Sequence, residues 1–366
     1  MWEKAKNKAV VLLTILFFLG FSVWCILKPA DAVSDSERRP LAAMPKLSAA
    51  SVASGKFMQE FESYATDQFP LRDGFRAVKA LVSRYLLGQK DVGGIYAVEG
   101  YVSKLEYPMN TESLDNAADR FRRIYEKYLE GRNVNIYLSV IPDKNFFLAA
   151  GNGYPAMDYE GFADYLKART EYMQYIDIYD RLELSDYYKT DTHWRQEKLM
   201  DVAQRLARGM GVTLSGQYTR EVLDRPFYGG YYGQSALPLE PEQIYYLNSE
   251  ILEGCRVYDY ETDSMGEVYD MEAAAGKDPY EMFLSGPKSL MRIENPGADT
   301  DRRLIILRDS FGSSIAPLLL EGYAEVVLVD IRYLSGELLG NYLEFDNSDV
   351  LFLYSTLVLN NSETLK

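Results

Sequence analysis

Helix-like and strand-like patterns alternate between residues 111 and 210, and they alternate again between 303 and 354. Alternation of this kind restricts the chain to an α/β fold with a mostly parallel sheet flanked by helices. The first block reads as a helix over 111–130, with Thr111 as its cap and Gly131 as its stop. A strand follows at 135–141 (NIYLSVI), then a helix at 160–174, a strand at 175–179 and a helix from about 196 to 210. The second block reads as strand 303–308, helix 312–321, strand 324–330, helix 335–343 and strand 349–354. Between them, residues 216–300 are rich in Tyr, Gly and Pro, and read as an insertion of loops and short antiparallel strands.

Upstream, Phe57, Phe61, Tyr64 and Ala65 form one apolar helical stripe. After Pro70 the stripe resumes with Phe75, Val78, Leu81, Val82 and Tyr85, and Gly88 ends it. Residues 94–102 read as a hairpin turning at Glu99-Gly100. Before all of this lies an uncharged segment, Ala9 to Leu27, about long enough to cross a bilayer. Lys4, Lys6 and Lys8 precede it, against Lys28 after it, which favours the N-terminus inside and the rest outside. The rival reading is a signal peptide cleaved after Ala32, because Ala30-Asp31-Ala32 has the small-x-small pattern. Either way the remaining chain works outside the cytoplasm. The organisation expected is a cytoplasmic tip and anchor over 1–28, a Pro/Ser/Ala-rich linker over 29–54, and one domain over 55–366.

The net charge of −15 argues against nucleic acid as a partner. Cys25 and Cys255 are the two cysteines, and with Cys25 in the apolar segment no disulfide framework is expected. Thirty tyrosines suit either half-buried strands or a sugar-contacting surface.

Ligands of α/β sheets bind beyond the carboxyl ends of the strands. Ser310 falls there, directly after strand 303–308 and before a helix, where its own backbone N–H is placed to help hold an oxyanion. The only histidine, His193, stands in Asp191-Thr192-His193-Trp194 after the strand at 175–179. Histidine carries protons near neutral pH, and a nearby carboxylate orients it. Ser310, His193 and Asp191 are therefore the candidate nucleophile, base and orienting acid. Lys144, ending strand 135–141, is a further candidate, weighed against a cation that closes a strand. Arg308 and the pair Arg332-Tyr333 are candidates weighed against structural ion pairing, Arg332 with Asp330. Trp194 reads more readily as a core plug behind His193 than as a sugar platform. Asn295 is a candidate oxyanion donor, or else a turn residue before Pro296. Asp191 and His193 lack the third ligand that a catalytic zinc wants, so no metal is expected. Gly229-Gly230-Tyr231-Tyr232-Gly233-Gln234 lacks the lysine and the context of a phosphate loop, and is a candidate for a flexible, aromatic loop near a sugar site.

Asp191-Thr192-His193-Trp194 before a helix, with a later strand and Asp309-Ser310-Phe311 before another, resembles the alginate O-acetyltransferase group and its Gram-positive relatives, the DHHW proteins. Phe69-Pro70-Leu71-Arg72-Asp73, Val92-Gly93-Gly94-Ile95-Tyr96, Ile141-Pro142-Asp143-Lys144 and Asp330-Ile331-Arg332-Tyr333 add to the likeness, in the same order. The resemblance implies an SGNH hydrolase-like fold with circularly permuted motifs, the histidine block preceding the serine block. It implies Ser310 as nucleophile, His193 as base and Asp191 as orienter. Two positions depart from it: Arg308 stands where SGNH serine blocks carry Gly, and Arg195 where Thr often follows Trp.

The expected function is transfer of an acyl group, most simply acetyl, onto or off a cell-surface polysaccharide. The resemblance implies a multi-spanning membrane O-acyltransferase as donor partner and no cofactor. The alternative is a surface protein that keeps the fold without turnover and binds polysaccharide.

Overall fold

The computed structural model describes residues 2–366. They form two compact units: one ends at Val92 and includes Tyr232–Pro238, and the other comprises Gly93–Tyr231 and Leu239–Lys366.

In the first unit, helix α1 (Trp2–Leu27) contains a stretch, Glu3–Leu27, long and apolar enough to cross a membrane. Helices α2 (Lys56–Asp67) and α3 (Arg72–Leu81) follow, and α3 runs on into a π-helical segment, Val82–Leu86. The stretch read as a linker is partly ordered by pairing. Val33–Ser34 and Arg39–Pro40 form an antiparallel bridge. Arg39 is bidentate to Asp67 at 2.6 and 2.9 Å, and Asp67 also accepts from the N–H of Ala42. Two guanidinium N–H groups and the backbone hydrogen bond stabilise the ionised form, so Asp67 titrates at about 2.

The second unit opens with a hairpin, β1 (Ile95–Val98) and β2 (Tyr101–Lys104), that turns at Glu99 and Gly100, both at positive φ. Its remaining labelled elements are α4 (Thr111–Ile124), β3 (Val134–Ile141), α5 (Tyr159–Lys167), β4 (Gln174–Tyr175), α6 (Met200–Gly209), β5 (Arg256–Asp259), β6 (Ser264–Gly266), β7 (Leu290–Glu294), β8 (Arg303–Arg308), β9 (Glu325–Val329) and β10 (Ser348–Ser355). The eight sheet strands run in the order β6-β5-β7-β9-β8-β10-β3-β4. Strands β9, β8, β10, β3 and β4 are mutually parallel, while β7, β5 and β6 extend the sheet antiparallel on one side. This is the expected mainly parallel α/β fold flanked by helices.

The central strands read as unbroken apolar runs because both faces are covered. Leu304, Ile306, Val326, Leu328, Leu351 and Leu353 pack on one face with Val202, Ala203, Leu206 and Ala207 of α6. Their alternates Ile305, Leu307, Val327, Val329, Val350 and Phe352 pack on the other, against Leu114, Ala117 and Phe121 of α4 and Phe162 and Leu166 of α5. The period of two thus places each strand's two apolar sets in two separate cores.

Several expected helices are shorter than their patterns. The cap of α4 is Asn110 rather than Thr111, its side chain accepting from Ser113 N–H. The segment 312–321 is α-helical only over Gly312–Ile315. It continues as a 3-10 helix, Ala316–Gly322, where Pro317 supplies no N–H. The segment 335–343 is a 3-10 helix over Gly336–Asn341. The expected strand 175–179 stops at Tyr175, because the Asp177 carboxylate takes the N–H of Tyr179 and bends the chain into a 3-10 turn, Tyr179–Arg181.

Candidate active site

Strand β8 ends at Arg308, and the turn after it is held by Asp309. One carboxylate oxygen accepts from Phe311 N–H at 3.0 Å. The other accepts from the N–H and Oγ of Ser355, at the end of β10, at 2.8 and 2.6 Å. Asp309 therefore ties the turn to the neighbouring strand and sets the position of Ser310.

His193 reaches the same place from a loop that closes on itself. Tyr187 and Trp194 form an isolated antiparallel bridge, and Tyr188 N–H donates to the carbonyl of His193. Asp191 and Thr192 form the tip. Glu242 holds the approach to that tip, accepting from Lys189 N–H, Thr190 N–H and Thr190 Oγ1 at 2.8–2.9 Å. Gly229 packs so closely that a Cβ there would lie 2.3 Å from the Thr190 backbone. This lets Gly230 N–H donate to Asp191 Oδ2 at 2.6 Å.

The structure brings the three residues together. His193 Nδ1 lies 2.6 Å from Asp191 Oδ1, and His193 Nε2 lies 2.7 Å from Ser310 Oγ. An ionised carboxylate only accepts, so Nδ1 carries the proton and Nε2 accepts from the serine hydroxyl. Burial works against ionisation of Asp191. The charge and hydrogen bond of His193 and the N–H groups of Gly230 and His193 outweigh it, and hold the carboxyl well below its usual range. The side chain of His193 is 14% exposed and that of Asp191 5%, so the imidazole is open to small reactants while its partner is dry.

Trp194 is fully buried, as a core plug. Its Nε1 donates to the carbonyl of Phe311 and to Ser314 Oγ at 3.1 and 2.8 Å, which leaves no face for a sugar. Tyr280 comes from the 216–300 insertion and stacks flat on His193, ring centroids 4.1 Å apart and planes 12° apart. Its hydroxyl donates to Ser314 Oγ at 2.9 Å.

The other candidates stand apart from the reacting atoms. Asn295 is corrected: it follows β7, which runs antiparallel to β9, so it lies beyond the opposite end of the sheet from Ser310. There its amide donates to the carbonyls of Leu320 and Tyr323, and its oxygen accepts from Gly297 N–H, as a turn residue. Arg308 is wholly buried and faces the buried Asp330 at 3.7 Å. Arg332 is bidentate to the same carboxylate, at 2.9 and 2.6 Å. Both guanidiniums are thus structural ion-pair partners, and Tyr333 is half exposed with Arg332 over its ring. Lys144 is buried, and its ammonium donates to the carbonyls of Val102, Tyr188 and Lys189, stapling the hairpin to the histidine loop. Burial lowers its pKa to about 7, against the pull of the Asp191, Glu242 and Asp143 carboxylates. Its neighbour Asp143 accepts from Thr356 Oγ1, Tyr159 Oη and Asn145 N–H, yet burial still raises it to about 6.

Sequence reasoning passed over Tyr280 and Glu242, and singled out the loop of Gly230 without its bond to Asp191. Tyr280 is one tyrosine among thirty, with no local pattern to mark it. Gly229-Gly230 carried a signal, adjacent glycines that permit close backbone approach, but its target is distant in the chain. Among the described residues, no group of three or more His, Cys, Asp or Glu side chains converges as a metal site. Cys25 and Cys255 are both free thiols.

No family model matches the sequence, and no curated protein matches it. Solved structures do match. The fold is shared with a DHHW family protein from Eubacterium siraeum DSM 15702, with a TM-score of 0.61 at 20% identity, over 75% of this chain and 95% of that one. It is shared as well with Bacillus cereus PatB1 carrying a sulfonyl adduct, with a TM-score of 0.57 at 18% identity, over 72% of this chain and 95% of that one. At these identities the likeness is one of fold.

Proposed function

We propose that the chain is a serine-nucleophile O-acyltransferase or esterase that moves an acetyl group onto or off a cell-surface polysaccharide. The observation that carries this is the continuous relay from Asp191 through His193 to Ser310, at 2.6 and 2.7 Å. The order of the Asp-Thr-His-Trp and Asp-Ser-Phe blocks, which resembles the alginate-type acetyltransferases, supports the acetyl and sugar assignment. A sulfonyl adduct on PatB1, which shares the fold, is the kind of product an activated nucleophile forms.

In this mechanism Ser310 Oγ attacks the acyl carbonyl while His193 Nε2 takes its proton. The tetrahedral intermediate collapses as the imidazolium returns that proton to the leaving group, which departs and leaves acyl-Ser310. A sugar hydroxyl, or water, then gives its proton to Nε2 and attacks the ester. As the bond to Oγ breaks, the imidazolium returns that proton to Ser310 Oγ, releasing the acylated sugar, or the free acid, and restoring the serine hydroxyl and the neutral imidazole. Asp191 holds the Nδ1–H tautomer and stabilises the imidazolium at each stage. Tyr280 fixes the ring plane. The chain supplies its own general base, so the acyl donor needs only to present an activated ester. A multi-spanning membrane O-acyltransferase would supply it, α1 would anchor the chain with residues 55–366 outside, and cleavage after Ala32 is the alternative route to the same side of the membrane.

The test is p-nitrophenol release from p-nitrophenyl acetate by the purified full chain in detergent, with acetylated oligosaccharide followed by mass spectrometry. Release that disappears in Ser310→Ala supports the enzyme. Polysaccharide binding with no turnover of any acyl donor would replace it with a binding protein.

A further inference from the structure

Helix α3 and the turn after it are built inside out. Arg72 and Arg76 point inward, to Glu37 at 2.6 and 3.1 Å, and Arg76 also donates to the carbonyl of Gly233 at 2.8 Å. Ala80 and Ser83 are buried on the same side. The residues at helical spacing on the other side are Leu71, Phe75, Val78, Val82, Tyr85 and Leu86, and they are 39–77% exposed. A helix facing water carries the reverse arrangement. Met58 and Phe61 of α2 and Phe69 from the intervening turn enlarge the exposed surface. A contiguous apolar patch of this kind marks an interaction surface.

Its occupant follows from what it is continuous with. Phe21 of α1 stacks on Phe69 at 5.4 Å and 24°, and meets Phe75 edge-on at 6.2 Å. Phe21 lies six residues before Leu27, so that contact sits about 9 Å below the outer end of α1 at the helical rise. Amphipathic helices that lie in a membrane surface sink roughly 5–10 Å into it. The two depths coincide.

We propose that the apolar face of α2, α3 and Val82–Leu86 is a lipid-binding surface, lying in the outer leaflet beside α1. Lys79 and Arg84, on the flanks, reach the headgroup level. The proposal rests on α1 spanning the bilayer and is independent of the chemistry at Ser310.

The test uses the full chain in phosphatidylcholine/phosphatidylglycerol vesicles, with Cys25 and Cys255 replaced by alanine. A bimane label is placed in turn on Val78→Cys, Tyr85→Cys, Leu16→Cys within α1, and Ser63→Cys on the polar side of α2. Lipid-borne nitroxide near the headgroups should quench the labels at 78 and 85 at least threefold more than the label at 63, and iodide in water should show the opposite order. Labels at 78 and 85 as open to iodide as the label at 63, with the label at 16 still shielded, would overturn the lipid surface while leaving the span intact. Iodide access at 16 as well would overturn the span and the proposal together.

Discussion

The indole Nε1 of Trp194 donates to the carbonyl of Phe311, so the residue after His193 is bonded to the residue after Ser310. The two loops come from distant parts of the chain, and this buried bond holds them in register from behind. Burial protects it from water; without the indole the Phe311 carbonyl still accepts from Ser314 Oγ at 3.3 Å, so losing the bond costs about 0.5–1.5 kcal/mol.

Trp194→Phe should therefore lower thermal stability by roughly that amount, and reduce kcat with little change in KM. Calorimetry and acyl-transfer kinetics with p-nitrophenyl acetate read the two effects. An unchanged kcat would mean that the bond does not align the loops.

Ser310→Ala and His193→Ala should each remove acyl transfer almost completely, by a factor on the order of 10⁴–10⁶, with the double variant little worse than either. Asp191→Asn should cost less, since Asp191 orients and stabilises charge. Circular dichroism should show all of them folded, Ser310→Ala most securely because it removes one oxygen. Activity kept in Ser310→Ala but lost in His193→Ala would point to histidine activating water directly.

Gly229→Ala should displace the Thr190 backbone, since the added Cβ would meet it at 2.3 Å. The Gly230 N–H bond to Asp191 should lengthen with it, so activity should fall together with the melting temperature. The overpacking cost expected is about 1–3 kcal/mol. A melting curve matching the wild type would show that the two loops separate freely.

Asp143 makes the stability pH-dependent. Its carboxyl is raised by burial to about 6, so between about pH 4 and pH 6 the folded state binds more protons than the unfolded one. Its contribution is fully present below the unfolded pKa and is lost as pH rises through about 6. The loss is on the order of 3 kcal/mol. Asp143→Asn should flatten that part of the stability curve, as urea midpoints at several pH values would record. Equal slopes in both proteins would contradict the assignment.

Stacking on Tyr280 should be worth about 0.5–1.5 kcal/mol beyond area burial. Tyr280→Phe keeps the ring and should keep most activity, whereas Tyr280→Ala should lose at least tenfold in kcat. Equal activity in the two variants would mean that the ring does not set the imidazole plane.

Much of the α/β core was legible in the chain. Strands 303–308, 324–330 and 349–354 are apolar on both faces, a pattern that a parallel sheet covered on both sides requires. Short helical stretches were less legible. Periodicity over 312–321 does not distinguish an α-helix from the 3-10 helix that Pro317 starts, and a single carboxylate, Asp177, ends the strand expected to 179. At the site, Asp191, His193 and Ser310 are visible because each has a local cue: a sole histidine, a carboxylate two residues away, a strand-end serine. Asn295 misled because its local setting, a strand end before proline, does not report strand direction. Only the pairing of β7 with β9 places it at the far end of the sheet.

The amino-acid sequence by itself determined the alternation of strands and helices, the apolar N-terminal segment and the identity of the three residues that now meet. These depend on neighbours a few positions apart, through burial periodicity and backbone chemistry. Tertiary structure alone decided what depends on contacts across the chain: the 2.7 Å approach of His193 to Ser310, the ring of Tyr280 against the imidazole, and the Gly230 N–H on Asp191. It also decided that Arg308 and Arg332 share the carboxylate of Asp330 rather than face a substrate, because a buried guanidinium must find a counter-charge wherever the packing offers one.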